Sequence, residues 1–289
     1  MSKVAFIGLG VMGYPMAGHL SKNFETTVYN RSTEKSKKWI SNYNGKMEIS
    51  ITNAVKEADF VFCCVGNDDD LKSILLGDEG VIFSMKKDSI LIDHTTSSAK
   101  VSKEISVIAN NSGIRFMDAP VSGGQVGAEN GQLTIMCGGD EETYYKVESI
   151  ISCYSKFSSL MGPIGSGQLT KMVNQICIAG LVQGLAEGLN FSKKANLDGK
   201  KVLDVISKGA AGSWQMENRG KTMLNDEFNF GFAVDWMRKD LNICLDEANS
   251  NKAKLPITAL INQFYCDIQD MDGGRFDTSS LIKRLRNSK

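Results

Sequence analysis

Apolar residues fall in short runs through the first half of the chain, with helical spacings between them. Lys3–Gly8 reads as a buried strand and Val11–Lys22 as a helix. Thr26–Tyr29 is a second strand, followed by a charged helix around Thr33–Tyr43. Asp59–Val65 and Asp88–Asp93 are further strands, the latter leading to a helix from Ser97 to about Asn110. Ile114–Asp118, Gln132–Cys137 and Lys156–Leu160 complete the set. Strands alternating with helices in this way predict an α/β fold, a mostly parallel, doubly wound sheet of the Rossmann type.

Gly162-Pro163-Ile164-Gly165 breaks that alternation, and no convincing strand follows it. Ser166 is suited to cap a helix running to about Lys194. Its apolar residues, among them Met172, Val173, Ile176, Leu181, Val182 and Leu189, lie on several faces, so burial all round is expected. At about 1.5 Å per residue it spans roughly 40 Å, enough to run between two domains. Further helices read near Asp198–Lys208, Phe232–Ala248 and Leu255–Met271. The expected division is a nucleotide-binding domain over residues 1–162 and an all-helical substrate and oligomerisation domain over 163–289.

Composition narrows the function. The 33 basic and 33 acidic residues cancel, so bulk charge favours neither nucleic acid nor a membrane surface as partner. The seven cysteines include no C-x-x-C pair, and Cys63 and Cys64 sit in an apolar run, which suits a reducing cytoplasm. Two histidines give little support to a metal site, and none is expected. No unbroken run of about eighteen apolar residues occurs, so no membrane span is expected.

The chemistry begins at Gly8, Leu9, Gly10, Val11, Met12 and Gly13, after the first strand and at the opening of the first helix. In such a G-x-G-x-x-G, the first glycine allows the tight turn and the second lets backbone approach a pyrophosphate. The third lets helix and strand pack closely. The helix N-terminus then presents N–H groups to the phosphates. The second strand ends in Asn30, Arg31, Ser32 and Thr33, where an NAD enzyme often has a carboxylate for the ribose hydroxyls. Neutral Asn30, cationic Arg31 and the hydroxyls instead suit a 2′-phosphate, so NADP is the preferred cofactor, with NAD possible. Arg31 and Lys35 would equally suit a solvated helix start.

Three later segments carry polar groups at marked positions. Ser122, Gly123 and Gly124 leave a strand, where such a turn can aim N–H groups and a hydroxyl at a carboxylate, though an ordinary loop reads the same. Lys171 and Asn174 share a face near the start of the long helix. A lysine there opposes the helix dipole, and that repulsion, with burial, would lower its pKa toward the range of a general acid/base. An exposed surface lysine is the plain alternative. Lys239, within Trp236-Met237-Arg238-Lys239-Asp240, suits either a cofactor contact or a surface ion pair.

Together these segments resemble the β-hydroxyacid dehydrogenase family, which includes 3-hydroxyisobutyrate dehydrogenases, tartronate semialdehyde reductases and glyoxylate/succinic semialdehyde reductases. The likeness covers nearly the whole chain: the glycine loop, Asp93–Thr96, the stretch Asp118–Gly124, Gly165–Gln175 and Met237–Asp240, in that order and spacing. The resemblance implies that Lys171 is the catalytic acid/base and that Asn174 fixes substrate beside it. Ser122, Gly123 and Gly124 would hold the substrate carboxylate, and Trp214 would line its pocket. Val65, Gly66, Asn67 and Lys239 would contact the cofactor, and Thr96 would sit near its nicotinamide. Two positions depart from the pattern: Val65-Gly66 stands where the family often has Leu-Pro, and no proline follows the threonine pair.

The implied reaction is hydride exchange between a nicotinamide and a small 3-hydroxy acid or its semialdehyde, in a cleft between the domains. A homodimer or homotetramer is expected from the family. An imine reductase, or a non-catalytic relative, would carry another residue at the lysine position, and Lys171 speaks against both.

Overall fold

The computed structural model describes residues 2–286, which divide into two compact units along the chain between Lys171 and Met172. The first unit opens with β1 (Lys3–Ile7), α1 (Gly13–Leu20), β2 (Glu25–Tyr29), α2 (Thr33–Asn42), β3 (Lys46–Met47) and α3 (Ile51–Val55). It continues through β4 (Phe60–Cys63), α4 (Asp68–Leu76), α5 (Val81–Ser84), β5 (Ile90–Asp93), α6 (Ala99–Asn111) and β6 (Arg115–Asp118). Then come β7 (Val121–Ser122), α7 (Gly124–Glu129), β8 (Leu133–Gly138), α8 (Glu141–Ile151) and β9 (Ser155–Gly162).

The strands form one sheet in the order β3-β2-β1-β4-β5-β6-β8-β7, with β9 on β8. Every pair from β3 to β6 is parallel; β8 meets β6 and β7 antiparallel. Both faces are covered, and the side chains of each strand divide between them with a period of two. Val4 and Phe6 belong to one buried cluster with Phe62, Ile92 and Met117. Ala5 and Ile7 belong to the other, with Val61, Cys63 and Leu91. The strand order reverses at β1, so the loops after β1 and β4 leave neighbouring strand ends on opposite sides of the reversal. In open α/β sheets that is where ligands bind.

Helix α9 (Ser166–Lys194) carries the chain out of the first unit. The second unit holds most of it, with α10 (Gly199–Ile206), α11 (Trp214–Leu224), α12 (Val234–Asn251), α13 (Pro256–Gln269) and α14 (Leu281–Arg286). No strand longer than an isolated bridge (Ala233 with Asp277) occurs there among the described residues. The expected burial of α9 on all sides is half right. Ala179, Val182, Leu185, Ala186 and Leu189 enter the core of the second unit. On the opposite side Val173, Leu181 and Phe191 are exposed (60%, 48% and 71%), because core side chains pack against one face only. By length and apolar character alone α9 could also cross a membrane, although its apolar residues do not form an unbroken run. Its buried face makes it a core helix.

Candidate active site

The glycine loop separates packing from binding. Gly8 has φ +97°, and a Cβ there would collide with the Cys64 carbonyl oxygen. A Cβ on Gly13 would collide with the Gly8 carbonyl oxygen and lie 2.9 Å from the Phe6 ring. A Cβ on Gly10 would meet nothing within 4 Å. First and third glycines are therefore required by the turn and by helix-on-strand contact. The second leaves the open approach that a pyrophosphate needs, so the loop fits a dinucleotide. Leu9 is buried, whereas Val11 is 56% exposed and Met12 lies at the start of α1.

Asn30 has a local task. Its Oδ1 accepts the Leu9 N–H at 2.9 Å, and its Nδ2 donates to the Ser32 carbonyl at 3.0 Å. It ties the end of β2 to the glycine loop. Arg31 and Ser32 are exposed beside it. Asn67, read from the sequence as a cofactor contact, caps α4 by accepting the Asp70 N–H at 2.8 Å. Val65 donates its N–H to Thr95 Oγ1 (3.1 Å), and Asp68 accepts from both the N–H and the hydroxyl of Ser98 (2.9 and 2.6 Å). The stretch holding Val65, Gly66 and Asn67 is thus latched to the stretch holding Thr96.

A buried polar junction lies where β5 and β6 end. Asp93 and Asp118 are register partners on these parallel strands, and neither is exposed. Asp118 accepts the N–H groups of Gly165 (2.6 Å) and Gln168 (2.9 Å) at the start of α9. The capping group is therefore Asp118 rather than Ser166, which is itself the first helical residue. Burial pushes the Asp118 carboxyl up to about 6, against the pull of its N–H donors. Gln168 is fully buried; its Nε2 donates to the Thr95 carbonyl at 2.7 Å and its Oε1 accepts the Ser97 N–H at 3.1 Å. Lys171, three residues further along α9, is 8% exposed, so the surface alternative for it is excluded. A carboxylate stands at its helix end, so Lys171 does not face a bare dipole as the sequence argument supposed.

Asp93 Oδ1 accepts the Thr95 N–H at 2.9 Å, while Oδ2 has no hydrogen-bond partner among the described residues. Burial pushes its carboxyl up to about 7. His94 is locked between the Ala119 carbonyl (2.6 Å from Nδ1) and the Tyr154 hydroxyl (2.8 Å from Nε2), and burial pushes it down to about 4. Ser122 ends β7, and Gly123 and Gly124 follow with φ +133° and +63°, opening α7. A cavity of about 520 Å³ lined by Asp59, Lys86, Asp88 and Lys146 opens at the other end of the sheet, where β4 and β5 begin, away from all these groups.

In the second unit, Asn174 donates to Gln175 Oε1 at 2.8 Å, and Gln175 Nε2 donates to Asp240 Oδ2 at 2.6 Å. Lys239 Nζ lies 3.0 Å from Asp240 Oδ1. Asn174 and Lys239 therefore share one network through the buried Gln175 and Asp240, to which the sequence reading gave no role. The surface ion pair foreseen for Lys239 is instead a pair with a buried acid. Trp214 starts α11, 47% exposed, with the Arg219 guanidinium 5.0 Å above its ring and 4.9 Å from that of Phe230.

Two family models match. One, described as the NAD binding domain of 6-phosphogluconate dehydrogenase, covers residues 3–173. The other, described as NAD-binding of NADP-dependent 3-hydroxyisobutyrate dehydrogenase, covers residues 165–285. The 2-hydroxy-3-oxopropionate reductase of Escherichia coli is 32% identical over 98% of this chain and 97% of its own length. The chain belongs to the β-hydroxyacid dehydrogenase family. An uncharacterized oxidoreductase of Shewanella frigidimarina is 58% identical over the full length of both chains. The solved 3-hydroxyisobutyrate dehydrogenase of Mycobacterium tuberculosis with L-serine superposes with TM-score 0.89 at 26% identity, covering 99% of each chain. This β-hydroxyacid dehydrogenase is thus an NAD(P)-dependent oxidoreductase of the hydroxyacid class.

Two outcomes follow from this geometry. Gly13→Ala should destabilise the chain by roughly 1–3 kcal/mol through overpacking, whereas Gly10→Ala should melt normally yet bind dinucleotide weakly. Thermal unfolding and fluorescence titration separate the two. The second outcome concerns pH. A carboxyl raised in the folded state stabilises below its unfolded pKa and loses that contribution as pH rises through its folded value; for Asp93 the window is about 4 to 7. His94, lowered to about 4, contributes in the opposite sense, losing stability as pH falls below its unfolded range. The two oppose each other, so the comparison needs a variant. Relative to the parent, Asp93→Asn should gain on the order of 2 kcal/mol between pH 5.5 and 8 in urea unfolding. A pH-independent difference would remove Asp93 from this role.

Proposed function

We propose that this enzyme prefers NADP and exchanges hydride with the terminal carbon of a small 3-hydroxy acid or its semialdehyde, with Lys171 as general acid/base. The observation that carries the reading is the buried Lys171 on the turn following Gln168, whose side chain grips the backbone on both sides of Thr96. The bound nicotinamide supplies or accepts the hydride. In reduction, the Lys171 ammonium donates a hydrogen bond to the aldehyde oxygen and protonates the alkoxide as it develops. In oxidation, the neutral amine takes the hydroxyl proton. Ser122, with the N–H groups of Gly123 and Gly124, holds the substrate carboxylate; their left-handed backbone, and the open space where a Gly124 Cβ would sit, support this. Asn174 steadies the substrate one helical turn past the lysine, and Trp214 lines its pocket. Gly8 to Gly13, Val65, Gly66, Asn67, Thr96 and Lys239 contact the cofactor.

The preference for NADP rests on Asn30, Arg31 and Ser32. No carboxylate at these positions repels a 2′-phosphate, and an exposed guanidinium matches its geometry. The names of the relatives, a 2-hydroxy-3-oxopropionate reductase and a 3-hydroxyisobutyrate dehydrogenase with L-serine, support short acids with oxygen on the third carbon. The domain roles follow the reading of residues 1–162 as nucleotide-binding and 163–289 as the substrate and oligomerisation part. A homodimer or homotetramer in the cytoplasm is the proposed working form, supported by the exposed apolar face of α9.

Lys171→Ala is expected to keep NADPH affinity within a few-fold and lose most turnover, at least about a hundredfold. Stopped assays with glyoxylate, succinic, tartronate and methylmalonate semialdehydes check this, and near-normal turnover would refute the acid/base role. Arg31→Ala should weaken NADPH about tenfold or more while leaving NADH nearly unchanged, since a charged hydrogen bond contributes about 1.5–3 kcal/mol. Equal losses for both cofactors would contradict the phosphate role.

A further inference from the structure

We infer that Gln168 is a positioning residue for the reaction: its amide clamps the backbone on both sides of Thr96 and so fixes the nicotinamide end of the cofactor site against Lys171. This rests on the acid/base reading of Lys171. Gln168 is fully buried in the first turn of α9 and uses both ends of its amide. Nε2 donates to the Thr95 carbonyl at 2.7 Å and Oε1 accepts the Ser97 N–H at 3.1 Å. A single rigid plane thus binds a donor and an acceptor flanking one residue, as a neighbouring strand would. The Gln168 backbone N–H is held at the same time by Asp118 Oδ2 (2.9 Å). Asp118 closes β6, and Ser122 follows it by four residues. One residue therefore joins three pieces of chain: the loop of Thr96, the turn carrying Lys171, and the strand end that leads to Ser122.

A side chain chosen only for packing would be apolar here. A buried primary amide with both ends bonded to backbone costs desolvation that only well-aligned partners offset. What it adds is a fixed separation between the residue beside the nicotinamide and the proton donor. Transfer of a hydride and a proton to two ends of one carbonyl needs both held within a fraction of an ångström, and a displacement near 1 Å costs about a hundredfold in rate.

The test uses Gln168→Met, which keeps length and apolar volume, and Gln168→Glu, which keeps the acceptor for Ser97 and loses the donor to Thr95. With the best substrate of the aldehyde panel, Gln168→Met should lower kcat roughly 10- to 100-fold. KM and the NADPH dissociation constant should stay within about threefold. In the cofactor-free chain the Ser97 amide should exchange hydrogen faster. Gln168→Glu should show the same split with a smaller fall in kcat and a protected Ser97 amide. Unchanged kcat, or a fall matched by lost NADPH affinity, would overturn the inference; should Gln168→Met not fold, the same criteria apply to Gln168→Glu. Lys171→Ala measured alongside separates the two claims. If it loses turnover while the Gln168 variants do not, only the positioning role fails. If Lys171→Ala itself turns over normally, the acid/base reading fails.

Discussion

The carboxylate of Asp118 holds the site together. It ends a parallel strand in a region that excludes water, and burial alone would keep it neutral. The N–H groups at the start of α9 oppose that tendency, since they have no partners one turn back and carry the positive end of the helix dipole. Carboxylate and helix start thus satisfy each other, and the sheet acquires a fixed point for a helix that has no sheet face of its own. Asp93, its register partner on β5, accepts the Thr95 N–H instead, and burial raises its carboxyl as well. Two like charges side by side in low dielectric repel, and the Asp118 charge raises Asp93 further.

From that fixed point the chemistry spreads outward. The α9 start brings Gln168 to the Thr95–Ser97 backbone and Lys171 to the turn beyond. Thr95 receives Val65, and Ser98 meets Asp68, so the loops after β4 and β5 are bonded to each other as well as to their strands. Loops are ordinarily the mobile part of a domain, yet these are held by buried hydrogen bonds at several points. Such bonding lets these loop residues keep a fixed geometry at the strand ends.

Strands β1, β4, β5 and β6 were legible because each carries apolar residues toward both faces, a pattern that leaves little choice but burial in a parallel sheet; β3 and β7, two residues each, were not, since so short a run has no period. The glycine loop was legible because its spacing has a steric cause, visible at Gly8 and Gly13. Helix α8 was not, although Asp140 caps it and Tyr144, Val147, Ile150 and Ile151 form its buried face; its charged outer residues resemble a loop in a window this short. Lys171 drew notice through the resemblance of its segment to the family, and its burial could not be read from the chain. Gln168 and Asp118 stand in the same motifs without a role legible from sequence, because a polar residue beside apolar ones reads as surface until its partners are known. Those partners, Thr95 and Ser97 for one and Gly165 for the other, are 47 to 73 positions away. Gln175 and Asp240 were hidden for the same reason, at a separation of 65.

Asn30 shows how one residue can serve the fold and bear on cofactor choice together. An acceptor at the end of β2 is needed to hold the Leu9 N–H, and aspartate or asparagine would supply it equally well. The amide adds a donor, which here closes onto the Ser32 carbonyl and shapes the turn that exposes Arg31. An aspartate would keep the first bond, lose the second, and place a full negative charge beside Arg31, against the 2′-phosphate of the proposed NADP. The amide therefore preserves the glycine loop while leaving the electrostatic field of that corner to Arg31. On the proposed preference for NADP, Arg31 attracts the phosphate and the absence of charge at position 30 lets that attraction stand.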